Sequence, residues 1–248
     1  MSEHVPQPEQ LTPPPPQPRR TLLSDLWASL RGTEMDYTKG SVSRAILLLS
    51  VPMMLELVLE SVFAVVDVYF VSSLGASAVA TVGLTESVLT LMYAVAIGLS
   101  MGATALVARR IGEKDPEGAA KAAVQAIVVA ALASIPFSIA GVFFAKDILA
   151  LMGGDAWTID FGYRYMAWML GGNAVIMLIF VINAIFRGAG DAAIAMRVLW
   201  ISNGINIVLD PMLIFGWGPF PELGVEGAAI ATNIGRGIGV LVQLFILF

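Results

Sequence analysis

Cysteine is absent from all 248 residues, and the single histidine, His4, sits near the N-terminus. The first absence removes disulfides, thiolate metal sites and cysteine nucleophiles together. The second leaves no imidazole for a His-based zinc site or a serine–histidine pair. Charge is scarce as well. Only 13% of residues are Asp, Glu, Lys or Arg, where a soluble domain averages about 25%. The net charge is −5, so no basic excess points to nucleic acid, and none is expected as a partner. What fills the chain is apolar: 57% hydrophobic residues and a mean hydropathy of +0.81. Lipid is the simplest solvent for such a composition, and the bilayer is the first partner expected.

The sequence divides into three parts. Over 1–20, seven prolines (Pro6, Pro8, Pro13–Pro16 and Pro18) alternate with polar residues. Such a tract favours extended, solvated backbone and buries no core, so a disordered tail is expected. Over 21–40, Leu22, Leu23, Leu26, Trp27 and Leu30 share one helical face, with Ser24 as a candidate N-cap. That pattern suits a helix lying in the membrane interface or packed on protein. From 41 to 248 the chain is a succession of apolar runs, expected at 43–72, 78–108, 119–145, 162–186, 192–215 and 224–248, each long enough to span a bilayer. The predicted fold is therefore all-α, a polytopic membrane protein of six transmembrane helices.

Lys and Arg set orientation. Arg19, Arg20, Arg31, Lys39 and Arg44 lie in the tail and at the boundary of the first run; Arg109, Arg110, Lys114 and Lys121 surround the second loop; Arg187 and Arg197 flank the fourth. The first and fifth loops carry none. This asymmetry predicts a multi-pass protein of the cell (plasma or inner) membrane with a cytoplasmic N-terminus. The sixth run reaches Phe248 with no polar tail, which suggests a fragment of a longer chain.

Carboxylates inside apolar runs are the functional signal, because a charge at mid-membrane costs about 2.5–3.5 kcal/mol on insertion scales. Glu56, Glu60 and Asp67 lie in the first run. At 100° per residue, Glu60 is turned by about 40° from Glu56, and Asp67 by about −20° from Glu60, so all three share one face. Asn203, Asn206 and Asp210 repeat the device in the fifth run at i, i+3 and i+7. Both stripes must face inward. With no Lys or Arg read as well centred in any run, Arg236 being the nearest exception, the acids are expected to hold protons or cations. Desolvation and like-charge repulsion both favour the protonated or cation-bound form. Asp67 and Asp210 are the candidate coupling pair for H⁺ or Na⁺. Pro52 and Pro136 interrupt the helical hydrogen-bond ladder and are candidate kinks. The dense Gly and Ala suit close helix packing, and some glycines suit hinges.

Five segments, in order, carry a family resemblance: V-P-M-M-L-E-L-V-L-E-S-V-F-A-V-V-D-V-Y-F-V-S-S-L-G at 51–75, A-R-R-I-G-E-K-D at 108–115, I-N-A-I-F-R-G-A-G-D at 182–191, N-I-V-L-D-P-M-L-I-F-G at 206–216 and G-V-E-G-A-A-I-A-T at 224–232. The chain resembles the multidrug and toxic compound extrusion (MATE) family of secondary transporters. The resemblance implies one lobe of a twelve-helix protein whose two six-helix lobes rock between outward- and inward-open states. It implies an antiporter exporting organic cations or drugs in exchange for H⁺ or Na⁺, with no cofactor. It places ion coupling at Asp67, Asn206 and Asp210, a Na⁺ site included, with Asn183 and Thr232 near the same cavity and Pro52 in a helix that bends. Glu60 stands where relatives often carry a neutral polar residue. The missing C-terminal lobe, or a second copy in its place, is the implied partner.

Three rivals remain. A related flippase for lipid-linked or polysaccharide substrates would need a cationic cavity, whereas these stripes are acidic. An intramembrane aspartyl protease is suggested by G-A-G-D at 188–191, but its expected Tyr-Asp partner motif is absent (Val66 precedes Asp67). A scaffold would tolerate neutralisation of the acids. G-L-S-M-G at 98–102 has no histidine to activate Ser100, so no enzyme is expected.

Overall fold

The computed structural model describes residues 41–248 together with Trp27 and Leu30. The expected Pro-rich tail lies outside the described residues, as does the expected interfacial helix apart from Trp27 and Leu30, both of which are helical.

Among the described residues, helix follows helix. α1 runs Val42–Ser72, α2 Ala76–Gly112 and α3 Pro116–Leu151. The next crossing has three pieces: a π-helical turn Thr158–Gly162, α4 Tyr163–Gly171 and α5 Asn173–Gly188. α6 runs Ala192–Ile214 and α7 Val225–Leu247. Together they make six membrane-crossing units, with Thr158–Gly188 counted as one.

Local chemistry explains the boundaries. Ser41 caps α1 by accepting from the Arg44 amide at 3.3 Å. Asp115 caps α3 by accepting from Gly118 N at 2.9 Å, with Pro116 at the first helical position. Asp191 caps α6 by accepting from Ile194 N at 3.2 Å. The aspartate of the G-A-G-D segment is thus a helix cap. α2 and α3 extend beyond the apolar runs that announce them, so Arg109, Arg110 and Lys121 lie on helix rather than in a loop. The arginines sit in the last turn of α2, where the helix dipole favours positive charge. They and Lys121 pair with Glu113, Asp115 and Glu117.

The fourth crossing is the axis of the bundle. Its apolar window is 67% buried, against 17% for α1 and for α3. Leu170, Ile176 and Met177 pack there against Leu89 and Met92 of α2 and Ile214 of α6. The crossing breaks at Gly172, where a Cβ would meet Asn233 Oδ1 at 2.1 Å, so the neighbouring helix requires glycine. The Asn173 amide then ties the break to α3, donating to Ser138 Oγ at 2.9 Å and to the Ser134 carbonyl at 3.2 Å.

α1 is peripheral. It packs chiefly along α6, and Leu57, Val58, Val65, Val68 and Tyr69 are exposed. Pro52 lies buried within it, and the helix runs unbroken past that residue. α6 and α7 approach most closely, joined by backbone bonds from Leu223 N to the Leu213 carbonyl and from Gly224 N to the Ile214 carbonyl.

That close approach yields a test. A Cβ on Gly227 would lie 2.4 Å from the Leu213 carbonyl oxygen, whereas one on Gly204 meets nothing within 4 Å. Gly227→Ala is expected to lower the thermal unfolding midpoint in detergent, at a cost of about 1–3 kcal/mol from overpacking. Gly204→Ala is expected to leave it unchanged or slightly raised.

A second test uses Asp155, in the turn before the fourth crossing. It accepts from Thr158 N at 2.7 Å and from Ser77 Oγ at 2.9 Å. These donors, the Thr158 amide foremost, hold its carboxyl below the usual carboxylate range. A lowered folded-state pKa stabilises fully above the unfolded value of about 3.9, and the benefit fades as pH falls through the folded one. In thermal scans at falling pH, Asp155→Asn should therefore show less acid destabilisation below about pH 4 than the wild type.

Candidate functional site

Three polar groups stack along the inner faces of the helices. The first is formed by the late turns of α1 and α6 and the early turns of α7. Asp210 is fully buried, and neither of its carboxylate oxygens has a hydrogen-bond partner within the described residues. Asp67 lies within its electrostatic reach, and Asp67 Oδ1 is likewise sealed and unpartnered. One turn along α6, Asn206 Nδ2 donates to Thr232 Oγ1 at 3.1 Å, leaving Asn206 Oδ1 unpartnered. Pro211, directly after Asp210, contributes no N–H to the α6 ladder at this level. Four acceptor oxygens from α1 and α6 are therefore buried in this region without a donor among the described residues. Buried acceptors of this kind demand a proton, a cation or water.

Deeper along α1, Glu60 in the second group has partners on two other helices. Glu60 Oε1 accepts from Arg236 Nη2 at 2.9 Å and Glu60 Oε2 from Asn203 Nδ2 at 3.1 Å. Arg236 also neighbours Tyr93 and Glu86 of α2. The sequence-based expectation that no run holds a well-centred Lys or Arg fails here. Arg236 is 8% exposed and eleven residues into the 23 of α7, near its centre. The reason is simple: the partner comes from another helix, which reading one span at a time does not pair.

The third group lies towards the side of the membrane where α1 begins. Arg187 Nη1 bridges both Glu56 oxygens at 3.1 and 3.3 Å, and Asn183 Nδ2 donates to Glu56 Oε1 at 3.5 Å. Gln243 Nε2 in turn donates to Asn183 Oδ1. Arg187, read as a boundary charge, is in fact half of an ion pair whose side chains are 20% and 12% exposed.

The seven candidate residues thus separate. Asp67, Asn206, Asp210 and Thr232 come together; Glu60 lies in the second group and Asn183 in the third; Pro52 stands one turn before Glu56 and joins none. Sequence reasoning missed Glu86, Tyr93, Tyr165 and Gln243. Glu86 carries the same signal as Glu60, an acid inside an apolar run, and faces Asp67 and Arg236. Tyr165, 3% exposed, lies within the field of Asp67 and Glu86. Among the described residues, no three His, Cys, Asp or Glu side chains form a metal cage. A cation in the first group would therefore need the Asn206 oxygen as well as the two aspartates.

The MatE family model matches residues 52–212. A curated relative from Shewanella oneidensis, named FAD transporter, is 30% identical over 191 residues, covering 77% of this chain and 42% of that protein. The probable multidrug resistance protein NorM of Thermotoga maritima is 29% identical over 207 residues, covering 84% of this chain and 45% of that protein. Among solved structures, a MOP superfamily transporter from Pyrococcus furiosus superposes with a TM-score of 0.77 at 32% identity, over 89% of this chain and 46% of that one. The chain spans about half the length of the relatives it matches.

The third group supplies a prediction. Arg187→Met strands Glu56 in a half-dry site and is expected to cost about 3 kcal/mol or more of stability. Glu56→Gln combined with Arg187→Met removes both charges and is expected to recover most of that loss. Thermal unfolding of the two variants in one detergent checks the order.

Proposed function

The chain belongs to the MatE family, a family of membrane transporters rather than enzymes, and from that premise we propose that it forms one six-helix lobe of a secondary antiporter. Its cargo on this reading is an organic cation or drug, exchanged for H⁺ or Na⁺. The observation that carries the reading is the set of unpartnered acceptor oxygens on Asp67, Asn206 and Asp210. Two carboxylates held together in a low-dielectric interior need positive charge, and a shared proton or Na⁺ supplies it. Thr232 holds the Asn206 side chain so that its oxygen stays free for the ion. Glu60 and Asn183 act on the ion site only at a distance, through the second and third polar groups. Pro52 is assigned the conformational role, loosening α1 one turn before Glu56. When an organic cation approaches, it competes with the coupling ion for the same negative field, which links the two flows.

Further features support the surrounding picture. Basic residues gather on the side where α1 begins, which supports a cytoplasmic N-terminus in a cell membrane. The half-length match to relatives supports a second six-helix unit, either another lobe or a second copy, as the partner that completes the path. One relative's name, FAD transporter, brings an anionic cargo into the family. Here the inner faces carry Asp67, Asp210, Glu60 and Glu86 against Arg236, a net negative balance that favours cations.

Efflux of a fluorescent cation from everted vesicles under an imposed H⁺ or Na⁺ gradient tests the proposal. Asp67→Asn and Asp210→Asn are each expected to slow gradient-driven exchange by about tenfold or more, an effect of about 1.4 kcal/mol or above. Rates equal to wild type in both variants would remove the aspartates from the mechanism.

A further inference from the structure

Asp67 and Asp210 lie in the last two turns of α1 and α6, close to the end of the bundle where α7 starts, and two aromatic rings meet there. Building on the antiport reading, we infer that Phe70 and Phe215 form an aromatic barrier across this end of the ion site, which shuts the direct path between Asp210 and the medium beyond the last turn of α1.

The barrier follows from the register of two helices. Phe70 comes three residues after Asp67, about 4.5 Å further along α1, and Phe215 five residues after Asp210, about 7.5 Å further at helical rise. Both rings are therefore displaced from the carboxylates towards the helix ends. There they meet edge to face, with centroids 6.2 Å apart and planes at 74°. They pack against the core cluster that holds Val71, Ile214 and Val225, each 6% exposed or less. Trp217 adds a third ring, 6.0 Å from that of Phe215. The backbone fixes one half of the barrier. Phe215 N donates to the Pro211 carbonyl at 3.2 Å, and the bonds from Leu223 and Gly224 to Leu213 and Ile214 clamp the loop that follows. Gly216, at φ +70°, folds that loop so tightly that a Cβ would lie 2.9 Å from Glu222 N.

Burial decides what the barrier does. Asp210 is 0% exposed, and both of its oxygens are sealed. The packed rings offer a small ion no lone pair in place of the water it would shed, so passage between them is opposed by dehydration. The pair is not the only tie between α1 and the bundle, because Glu56 and Glu60 anchor that helix nearer its start. Its distinctive effect is on access. An antiporter requires its ion site to be shut from one medium while open to the other, and Phe70 and Phe215 supply one such closure.

The absence of cysteine from the chain makes access measurable. A single thiol is introduced as Asp210→Cys, and its rate of reaction with a cationic methanethiosulfonate is followed on the chain in lipid nanodiscs. Ser73→Cys, exposed just after α1, gives the open rate, and Ser100→Cys, buried within α2, the closed one. With both rings present, Asp210→Cys is expected to react far more slowly than Ser73→Cys. Adding Phe70→Ala or Phe215→Ala is expected to raise its rate about tenfold, through local opening alone, and to leave Ser100→Cys unchanged. Phe215→Leu refills most of the space and is expected to keep the rate near that of the intact barrier. Equal rates at Asp210→Cys and Ser73→Cys with the rings intact, no change in either alanine variant, or a parallel rise at Ser100→Cys overturns the barrier. If the rates move as expected while Asp67→Asn and Asp210→Asn leave exchange untouched, the barrier stands and the antiport reading falls. If exchange slows but the rates do not move, the antiport reading stands and the barrier falls.

Discussion

Negative charge held inside an apolar bundle governs this protein. Lipid offers a carboxylate nothing, so every acid within a crossing must find a cation, a proton or a donor from another helix. The bundle answers in two ways. Glu56 and Glu60 receive Arg187 and Arg236, drawn from the fourth crossing and from α7. Asp67 and Asp210 receive no such partner. The difference separates two kinds of acid: neutralised ones hold helices together, and those without a partner are left open to a proton or a cation.

α1 shows what the ion pairs achieve mechanically. It rides on α6, and much of its surface is apolar and exposed. Hydrophobic burial alone would fix it weakly, because lipid competes for those side chains on equal terms. Glu56 and Glu60 are one turn apart and reach two different helices. Two anchors to separate partners resist both rotation and sliding of α1, where a single anchor would act as a pivot. The placement of Asp67 near Asp210 therefore depends on charges about two to three turns away along the same helix.

Much of the fold was legible in the sequence. Apolar runs announced six crossings, and Pro116, Asp115 and Asp191 mark helix starts by chemistry visible in the chain. The break within the fourth crossing was not, because its run is continuously apolar. Only the facing Asn233 and the donors of Asn173 make Gly172 a breakpoint. Periodicity placed Glu56, Glu60 and Asp67 on one face, and Asn203, Asn206 and Asp210 on another. It did not sort them into separate layers, since depth along one helix says nothing about which neighbour stands at that depth. Arg187 and Arg236 carry the sorting, and each is distant in sequence from the acid it meets.

The same sorting leaves the polar groups electrostatically linked along the bundle. Asp67 lies in the field of both Arg236 and Glu86, so the charge state of the second group reaches the first through a low-dielectric interior rather than through a moving part. In physiological salt such influence is screened over about 8 Å; in the low-dielectric bundle it is screened much less over the turns that separate the groups. Positive charge near Glu60 and Glu86 therefore weakens the negative field at Asp67 and Asp210, and its removal strengthens it. Such coupling requires of the fold only that the two groups stay within reach of each other's fields and that lipid stay out.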